Sequence, residues 1–387
     1  MIRARSTRTV ACAFALAGLV LAGCSDGGDD GAAPTPSTSA PPTSAPPSAS
    51  PSESESPEPT GSGEPRVTGD IADNLEIPWG LAFLPDGSAL VAERARARIV
   101  RVTPGGQVSI VGQVPGVDPI GEGGLLGLAL APDFETSHWL YAYFTAASDN
   151  RIVRMRYQNG RLGAPDPILT GIPKGSNHNG GRIKFGPDGM LYATAGEAGN
   201  PPLAQDRGSL GGKILRMTPG GRPAPGNPFD NSVVWTYGHR NPQGIAWDSD
   251  GRMWAAEFGQ STWDELNLIE PGRNYGWPVE EGRSDNPDFV SPLAVWPVDE
   301  ASPSGIAIAD GAVWMAALRG ARLWRIPLRG DRVGEPRAFF VREYGRLRTV
   351  ETAPDDSLWL ATSNRDNRAR DPFPRSDDDR ILHVVIE

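Results

Sequence analysis

The sequence GSNHNGGRIKFGPDGMLYATAGEAGN, residues 175–200, decides the fold predicted for this chain. Two apolar runs, at residues 182–185 and 190–195, flank the turn sequence GPDG, and this pattern predicts a β-hairpin. Because the strands of a hairpin are antiparallel, its outer ends lie side by side, so His178 and Glu197 are predicted to share one site. From this stretch alone, the simpler interpretation is favoured: His178 caps a strand and Glu197 is solvated.

The same pattern of a short apolar strand, a turn around an aspartate and a second strand occurs six times. It occupies residues 80–94, 127–145, 182–197, 244–259, 305–319 and 349–364. The turn aspartates are separated by 47, 55, 62, 60 and 45 residues; they are Asp86, Asp133, Asp188, Asp250, Asp310 and Asp355. Repeats of about 40–50 residues with four short strands are typical of propeller blades. The sequence therefore predicts an all-β fold, a six-bladed β-propeller with four-stranded antiparallel blades, rather than an ordinary β-sandwich.

The predicted propeller occupies residues 65–387. A last strand at residues 380–386 is expected to pair with residues 66–67 and to close the ring, which removes exposed sheet edges. In such a ring, loops at equivalent positions of the blades meet at one mouth of the central channel. Glycine-containing segments that flank the repeated pattern are therefore the candidates for a ligand site.

The N-terminus has the features of an export signal. Three arginines precede an apolar run, residues 10–21, that is too short to span a bilayer, and the run ends in the sequence LAGC. This ending resembles the bacterial lipobox, so residues 1–23 are predicted to be a lipoprotein signal peptide and Cys24 the lipidated first residue. The expected location is the outer face of the cell membrane, with the lipid anchor as the only membrane contact. Because Cys12 leaves with the signal, no disulfide is expected in the mature chain.

Residues 24–64 are rich in Ser, Pro and Thr and nearly lack large apolar side chains, which predicts a disordered, extended tether. The full chain carries a formal net charge of −10, and loss of the three signal arginines changes it to −13. Such a negative chain is not expected to bind nucleic acid.

Five short sequences and an Arg-x-Arg pair occur in order along residues 66–387. They are GEGGLLG (residues 121–127), HNGGRIKFGPDG (178–189), SLGGKILRM (209–217), YGHRNPQG (237–244), DELNLIEPGRNYGWP (264–278), and Arg346 with Arg348. Together they resemble the soluble PQQ-dependent glucose/sorbosone dehydrogenases, particularly the aldose sugar dehydrogenase branch. Members of that family are six-bladed propellers, which agrees with the independent count of repeats.

The resemblance implies oxidation of an aldose at C1 to a lactone, with PQQ as cofactor and an external electron acceptor. It implies that His178 contacts the cofactor and is the base that takes the proton of the C1 hydroxyl, a task that suits an imidazole. Glu197 stands where the family often has an aspartate that supports this histidine. Arg240 is implied in catalysis and in cofactor binding, and Asn241 in contacts with cofactor and substrate.

Other positions of the family motif concern the cofactor. PQQ is a planar tricarboxylate, so guanidinium groups suit it, and Arg346 and Arg348 match that need. An Arg-x-Arg pair alone would rather indicate a solvated strand end. Glu122 stands where better-known members have a glutamine against PQQ. Arg319 is the cation nearest to the position where the family has a lysine.

Ca²⁺ is the second cofactor that the resemblance implies. The carbonyls of Gly259 and Gln260 match positions that help to hold an ion bridging to PQQ. Glu265 and the Tyr275 carbonyl match a structural calcium position, and such oxygen ligands suit Ca²⁺. From spacing alone, the residues around Glu265 would more simply be a charged loop.

Two alternative functions stay open at this stage. A propeller lactonase or other hydrolase would need carboxylate and Asn ligands around one axial metal, without a set of arginines. A non-catalytic propeller would only bind a carbohydrate or another small ligand, because the fold does not determine the function.

Overall fold

The repeated hairpins form the inner strands of six antiparallel sheets arranged as propeller blades. The structure is a computed structural model that describes residues 63–387. Every predicted hairpin lies at the inner side of one blade, so the predicted six-bladed all-β fold is confirmed. The predicted signal peptide and all of the tether except its last two residues lie outside the described residues. Among residues 63–387, no helix is long and apolar enough to cross a membrane.

In the first three blades, the strands follow chain order from the central channel outward. The strands are numbered along the chain, and β1 is Pro65–Ala72. The first blade consists of β2 (Pro78–Phe83), β3 (Ala89–Glu93), β4 (Arg98–Val102) and β5 (Val108–Gln113). The second consists of β6 (Leu125–Leu130), β7 (Trp139–Thr145), β8 (Asn150–Gln158) and β10 (Asp166–Ile172), with the short β9 (Arg161–Leu162) beside β8. The third consists of β11 (Ile183–Phe185), β12 (Leu191–Ala195), β13 (Lys213–Met217) and β14 (Val234–Tyr237).

The remaining blades repeat this arrangement. The fourth consists of β15 (Pro242–Trp247), β16 (Met253–Glu257), β17 (Trp263–Ile269) and β18 (Ala294–Pro297). The fifth consists of β19 (Pro303–Ala309), β20 (Ala312–Ala317), β21 (Arg322–Arg329) and β23 (Arg337–Phe339), with the short β22 (Arg332–Val333) beside β21. The sixth consists of β24 (Leu347–Thr352), β25 (Leu358–Thr362), β26 (Ile381–Ile386) and β1. One short α-helix, Phe134–Ser137, and one 3₁₀ helix, Pro201–Ala204, lie in loops.

The two chain ends of the propeller close the ring. Strand β1 is the outermost strand of the sixth blade and pairs antiparallel with β26, with Arg66 opposite Val385 and Val67 opposite Val384. The predicted closure is therefore confirmed. Strand β1 thereby pairs with the outer side of β26, which would otherwise be the edge of a three-stranded sixth blade.

Glycines at the start of the repeated pattern allow the inner strands to approach one another. A Cβ added to Gly127 would lie 2.2 Å from the carbonyl oxygen of Gly181, and one added to Gly80 would lie 2.4 Å from that of Leu126. Gly244 is equally restricted, since its added Cβ would lie 2.4 Å from the carbonyl oxygen of Ser304. These residues are therefore small because adjacent blades meet backbone to backbone around the channel.

The hydrophobic core is divided among the six interfaces between adjacent blades. Each interface holds one cluster of buried apolar side chains, for example Leu90 and Ile99 of the first blade against Leu125 and Leu140 of the second. Burial of such side chains stabilises the fold by about 1.5–3 kcal/mol for each large residue. The blade interfaces thus hold the loops of neighbouring blades in fixed relative positions.

Arg182 lies in the central channel and joins four blades. It precedes β11, one residue before the observed start of a strand that was predicted to include it. Its guanidinium donates to the carbonyls of Gln243 and Trp79, at 2.9 and 3.2 Å, and to Thr349 Oγ1 at 3.2 Å. Burial lowers the pKa of Arg182 to about 10.

Candidate active site

The hairpin places His178 and Glu197 in direct contact. His178 Nδ1 lies 2.5 Å from Glu197 Oε1, and the two side chains are 13% and 1% exposed. The structure therefore brings these residues together as the hairpin argument predicts. His178 has a φ of 53°, a left-handed conformation that holds its ring at the start of the hairpin.

Hydrogen bonds around His178 indicate which ring nitrogen carries the proton. Glu197 Oε1 accepts from Nδ1, and the amide nitrogen of Asn177 lies 3.3 Å from Nε2. Because a carboxylate only accepts and an amide NH₂ only donates, this network assigns the proton to Nδ1 and leaves Nε2 unprotonated, with Asn177 as a long hydrogen-bond donor to its lone pair. The His178 backbone N–H donates to Glu122 Oε2 at 3.2 Å, which fixes the loop from the neighbouring blade.

Seven of the eleven residues predicted for the site line one cavity of about 710 Å³. They are Glu122, His178, Arg240, Gly259, Gln260, Arg346 and Arg348. Glu197 lies behind His178, and Glu265 and Tyr275 do not line the cavity. Asn241 is fully buried beside it, where its Oδ1 accepts from the Gly180 N–H at 3.0 Å. The structure therefore brings loops of several blades together at one site.

Arg240 reaches into the cavity from the fourth blade. Its Nη1 donates to the carbonyl oxygen of Gly259 at 2.6 Å, and its Nε is buried without a hydrogen-bond partner. The Glu257 carboxylate holds this segment from below: it accepts from the backbone N–H of Arg240 and bonds His239 Nδ1 at 2.7 Å. Burial lowers the pKa of Arg240, although the negative charge of Glu197 acts in the opposite direction.

Arg346 and Arg348 share one carboxylate in the sixth blade. Asp366 Oδ2 accepts from Arg346 Nη2 at 2.9 Å and from Arg348 Nη2 at 3.4 Å, while Arg348 Nε donates to Ser363 Oγ at 3.0 Å. Burial and the nearby positive charge of Arg94 lower the pKa of Arg348 to about 9. The predicted Arg-x-Arg pair thus lines the cavity as a crowded group of cations and is not a solvated strand end.

An ion pair between Arg368 and Glu122 connects the sixth blade with the second. The Arg368 guanidinium donates to Glu122 Oε1 from across the cavity. Burial alone would raise the pKa of Glu122, but the charge and the hydrogen bond of Arg368 lower it. Glu122 is therefore ionised, and the positive charge of Arg368 compensates its negative charge. Arg94, buried between the two blades, has an Nε without a hydrogen-bond partner.

The cavity has a charge opposite to that of the whole protein. Nine arginines line it, against five carboxylates, a formal excess of four positive charges. The arginines are Arg94, Arg240, Arg319, Arg322, Arg342, Arg346, Arg348, Arg368 and Arg370. The carboxylates are Glu122, Asp264, Asp299, Asp366 and Asp371. In a chain of net charge −10, this local excess indicates a site for an anion.

The predicted calcium ligands lie in two places. Gly259 and Gln260 are on the cavity wall, in the turn between β16 and β17. Glu265 lies below, opposite Glu257 in the strand pair, and the Tyr275 ring stacks on His239 at 4.6 Å between ring centroids. Asn267 Oδ1 is buried beside Glu265 without a donor. Among residues 63–387, no three His, Cys, Asp or Glu side chains are grouped as a metal site.

Sequence reasoning did not identify several residues that shape the cavity: Arg94, Asp264, Asp366 and Arg368. Arg94 ends the first repeated pattern, and a signal was available there, because Glu197 ends the pattern in the third blade. Asp366 and Arg368 lie in a loop without periodic sequence, and Asp264 is the second residue of β17. Arg319, the cation noted in place of the family's lysine, does line the cavity.

Comparisons with known proteins agree with this fold. The PQQ-bound aldose sugar dehydrogenase from Streptomyces coelicolor has a similar structure, with a TM-score of 0.83 and 58% sequence identity over 85% of this chain and 100% of that one. Aldose sugar dehydrogenase YliI of Escherichia coli is 30% identical over 79% of this chain and 92% of its own length.

A further relative is quinoprotein glucose dehydrogenase B of Acinetobacter calcoaceticus, 33% identical over 62% of this chain and 59% of that protein. Residues 75–370 match the model of the family described as Glucose / Sorbosone dehydrogenase. The chain therefore belongs to the glucose/sorbosone dehydrogenase family.

Proposed function

We propose that this protein is a PQQ-dependent dehydrogenase that oxidises aldose sugars at C1 to lactones. The observation that carries the proposal is the His178–Glu197 pair at the wall of an arginine-lined cavity. A relative 58% identical over the whole of its own chain has been observed with PQQ, which supports the same cofactor here.

The cavity residues fit PQQ. Three cations, Arg94, Arg346 and Arg348, surround the single carboxylate of Asp366, so the group has an excess of positive charge. The buried Nε atoms of Arg94 and Arg240 lack acceptors, and carboxylates would satisfy them. When bound, PQQ supplies the two-electron acceptor for the sugar. The arginines would bind and orient it through charge-assisted hydrogen bonds.

His178 is positioned to remove a proton. Its Nε2 is unprotonated and can accept a proton. Its ring lines the cavity, and Glu197 is buried behind the ring. When Nε2 accepts the proton of the C1 hydroxyl, the Glu197 carboxylate stabilises the resulting imidazolium and keeps the ring in place. The second oxygen of Glu197 has no donor, so it keeps its full negative potential near the ring.

The site geometry disfavours a hydrolase. A lactonase-like mechanism needs carboxylate and Asn ligands around one metal on the propeller axis. In the described part of the chain, the channel instead contains the Arg182 guanidinium, bonded to three other blades. A cation at this place opposes the binding of a second cation, which favours the dehydrogenase.

Calcium binding fits two groups of oxygen atoms. The Gly259 and Gln260 carbonyls on the cavity wall would hold an ion beside PQQ, and the Gly259 oxygen would then exchange Arg240 Nη1 for the ion. Below them, burial and the charge of Glu257 raise the pKa of Glu265 to about 8. Together with the unpartnered oxygen of Asn267, the Glu265 carboxyl forms a buried group of oxygen atoms without a compensating cation, so a bound ion would stabilise its charged form. Glu265 and the Tyr275 carbonyl would hold the structural ion.

We expect calcium to change how stability depends on pH. The pKa of Glu265 is about 8 in the folded protein and about 4.3 in an unfolded chain, so the folded state binds the proton more tightly. The calcium-free protein should therefore lose stability as pH rises from about 4.3 to about 8. Calcium should raise the melting temperature more at pH 8 than at pH 5, as measured by thermal unfolding with and without EDTA.

The variant Glu265→Gln tests whether this carboxylate is responsible. It should have a flatter stability profile over that pH range and a smaller gain from calcium. Other buried carboxyls, such as Asp264 with a pKa raised to about 6, contribute in both proteins and cancel in the comparison. Equal pH slopes in the two proteins would show that Glu265 is not the group that titrates.

The proposed activity has a direct test. Purified protein supplied with PQQ and Ca²⁺ should reduce an artificial electron acceptor when aldoses are added, with the lactone as product. Omission of PQQ should abolish the reaction. Reduction of the acceptor without sugar consumption, or PQQ and calcium binding without turnover of any aldose or alcohol, would favour a non-catalytic binding propeller.

We also propose that the enzyme works outside the cell, anchored by a lipid on Cys24 and held away from the membrane by the tether. This proposal rests on the sequence of residues 1–64. The variant Cys24→Ser should move the protein from the membrane fraction to the soluble fraction, measured by fractionation and immunoblotting. Its PQQ-dependent activity should be unchanged. Retention of the variant in the membrane fraction would contradict a lipid anchor.

A further inference from the structure

One carboxylate organises the turn that carries the proposed calcium ligands of the cavity. Glu281 Oε1 accepts four successive backbone N–H groups, which belong to Gln260 (2.7 Å), Ser261 (2.9 Å), Thr262 (2.9 Å) and Trp263 (3.1 Å). Successive N–H groups around one anion form a nest, in which the anion fixes the direction of every peptide group. Burial alone would raise the pKa of Glu281, but the four hydrogen bonds outweigh this effect and lower the pKa, so the carboxyl group is an anion.

The direction of the N–H groups determines the direction of the carbonyls. In a trans peptide, the C=O of one residue points opposite to the N–H of the next. The Gln260 N–H points at Glu281, and the Gly259 oxygen points the other way, where it lies 2.6 Å from Arg240 Nη1 on the cavity wall. By the same geometry, the Ser261 N–H bond turns the Gln260 oxygen away from Glu281.

A second carboxylate completes the arrangement. Asp264 Oδ1 accepts from the Gly259 N–H at 2.8 Å, and its Oδ2 accepts from the Ser302 N–H at 2.5 Å, which joins the turn to the fifth blade. Five successive N–H groups, from Gly259 to Trp263, are thus bound by Asp264 and Glu281. None of them remains to face the cavity, so the backbone of this turn presents only acceptor oxygens there.

We propose that Glu281 is a positioning residue that turns the Gly259 and Gln260 carbonyls toward the cavity and thereby builds its calcium site. The inference rests on the proposed function, because it takes Ca²⁺ to be the ion bound beside PQQ. Glu281 acts through the backbone of the turn: it holds the peptide groups, and its negative charge lies behind them.

The test compares calcium binding by Glu281→Ala, Glu281→Gln and a matched control. Ca²⁺ is titrated into the PQQ-loaded protein, and the absorbance of bound PQQ reports binding of the ion in the cavity. Calorimetry measures calcium binding at all sites together. In Glu281→Ala the peptide groups are released, and the half-saturating calcium concentration should rise at least about tenfold, as for other residues that orient metal ligands. In Glu281→Gln an amide oxygen still accepts the N–H groups, so its affinity should lie between those of wild type and Glu281→Ala.

Glu280→Gln is the control, because it removes a neighbouring charge whose carboxylate takes no part in the nest. It should bind calcium as the wild type does. Wild-type affinity in Glu281→Ala would overturn the positioning role while the proposed function stands; a wild-type protein that binds no calcium would overturn both. If Glu281→Ala does not fold, Glu281→Gln is the deciding variant, provided that its calcium-free melting temperature equals that of the wild type. Weaker calcium binding by Glu281→Gln would then support the positioning role, and calcium binding equal to that of the wild type would overturn it.

Discussion

Replacing His178 by asparagine or alanine is expected to lower kcat for aldose oxidation by at least about 100-fold, the usual contribution of a positioned base. The reason is geometric: Nε2 is the unprotonated nitrogen of the His178 ring, and Glu197 holds the other ring nitrogen, Nδ1, at 2.5 Å. The measurement is steady-state kinetics with an artificial acceptor at saturating PQQ and Ca²⁺. Asparagine is the sharper variant, because it tolerates the φ of 53° at this position and cannot act as a base.

Binding measurements separate loss of the base from loss of the site. Both His178 variants should bind PQQ and calcium nearly as the wild type does, because the arginines and the backbone carbonyls of the cavity hold most of these two ligands in this mechanism. Glu197→Gln should keep the shape, lose the charge and reduce kcat less than His178→Asn does. His383→Ala, a histidine on the outer side of the sixth blade, should have wild-type kinetics. Wild-type kcat in both His178 variants would refute the mechanism, although it would leave the fold unaffected.

The fold was predictable because its signal is repeated. One hairpin carries little information about architecture, but six copies with a turn aspartate in each exclude most alternatives. The glycines at the start of the pattern have a structural cause that the sequence alone does not reveal: adjacent inner strands approach so closely at Gly80, Gly127 and Gly244 that a Cβ would collide with backbone. Strand ends were less predictable, since the position of Arg182 depends on partners in three other blades.

From residue chemistry alone, the site was predictable only where it coincides with the repeated pattern; cavity residues such as Arg346 and Arg348 were predicted through the family resemblance. His178 and Glu197 flank one hairpin, so local geometry brings them together. Asp366 and Glu281 lie in irregular loops, and each acts through contacts with residues about 20 positions away in sequence. Backbone direction, which gives Glu281 its role, leaves no signature in side-chain chemistry.

The second large effect is expected at Arg348. The variant Arg348→Leu should bind PQQ at least about tenfold more weakly, which corresponds to the loss of one charge-assisted hydrogen bond worth about 1.5–3 kcal/mol. The structure adds a second cause. Without Arg348, the Asp366 carboxylate loses one of the cations around it, and its less compensated charge opposes the carboxylates of PQQ. Titration of the apo-protein with PQQ, followed by absorbance, measures the affinity.

Two companion variants separate an electrostatic effect from a loss of packing. Arg325→Leu removes a buried arginine that pairs with Asp310 outside the cavity, so it should leave PQQ affinity unchanged even where stability falls. Asp366→Asn keeps the shape of the carboxylate but removes its charge, so it should bind PQQ at least as tightly as the wild type, the opposite direction to Arg348→Leu. The two variants should change PQQ affinity in opposite directions because three cations surround the one anion, Asp366. Equal PQQ affinities in Arg348→Leu and Arg325→Leu would show that Arg348 supports the blade and does not bind the cofactor.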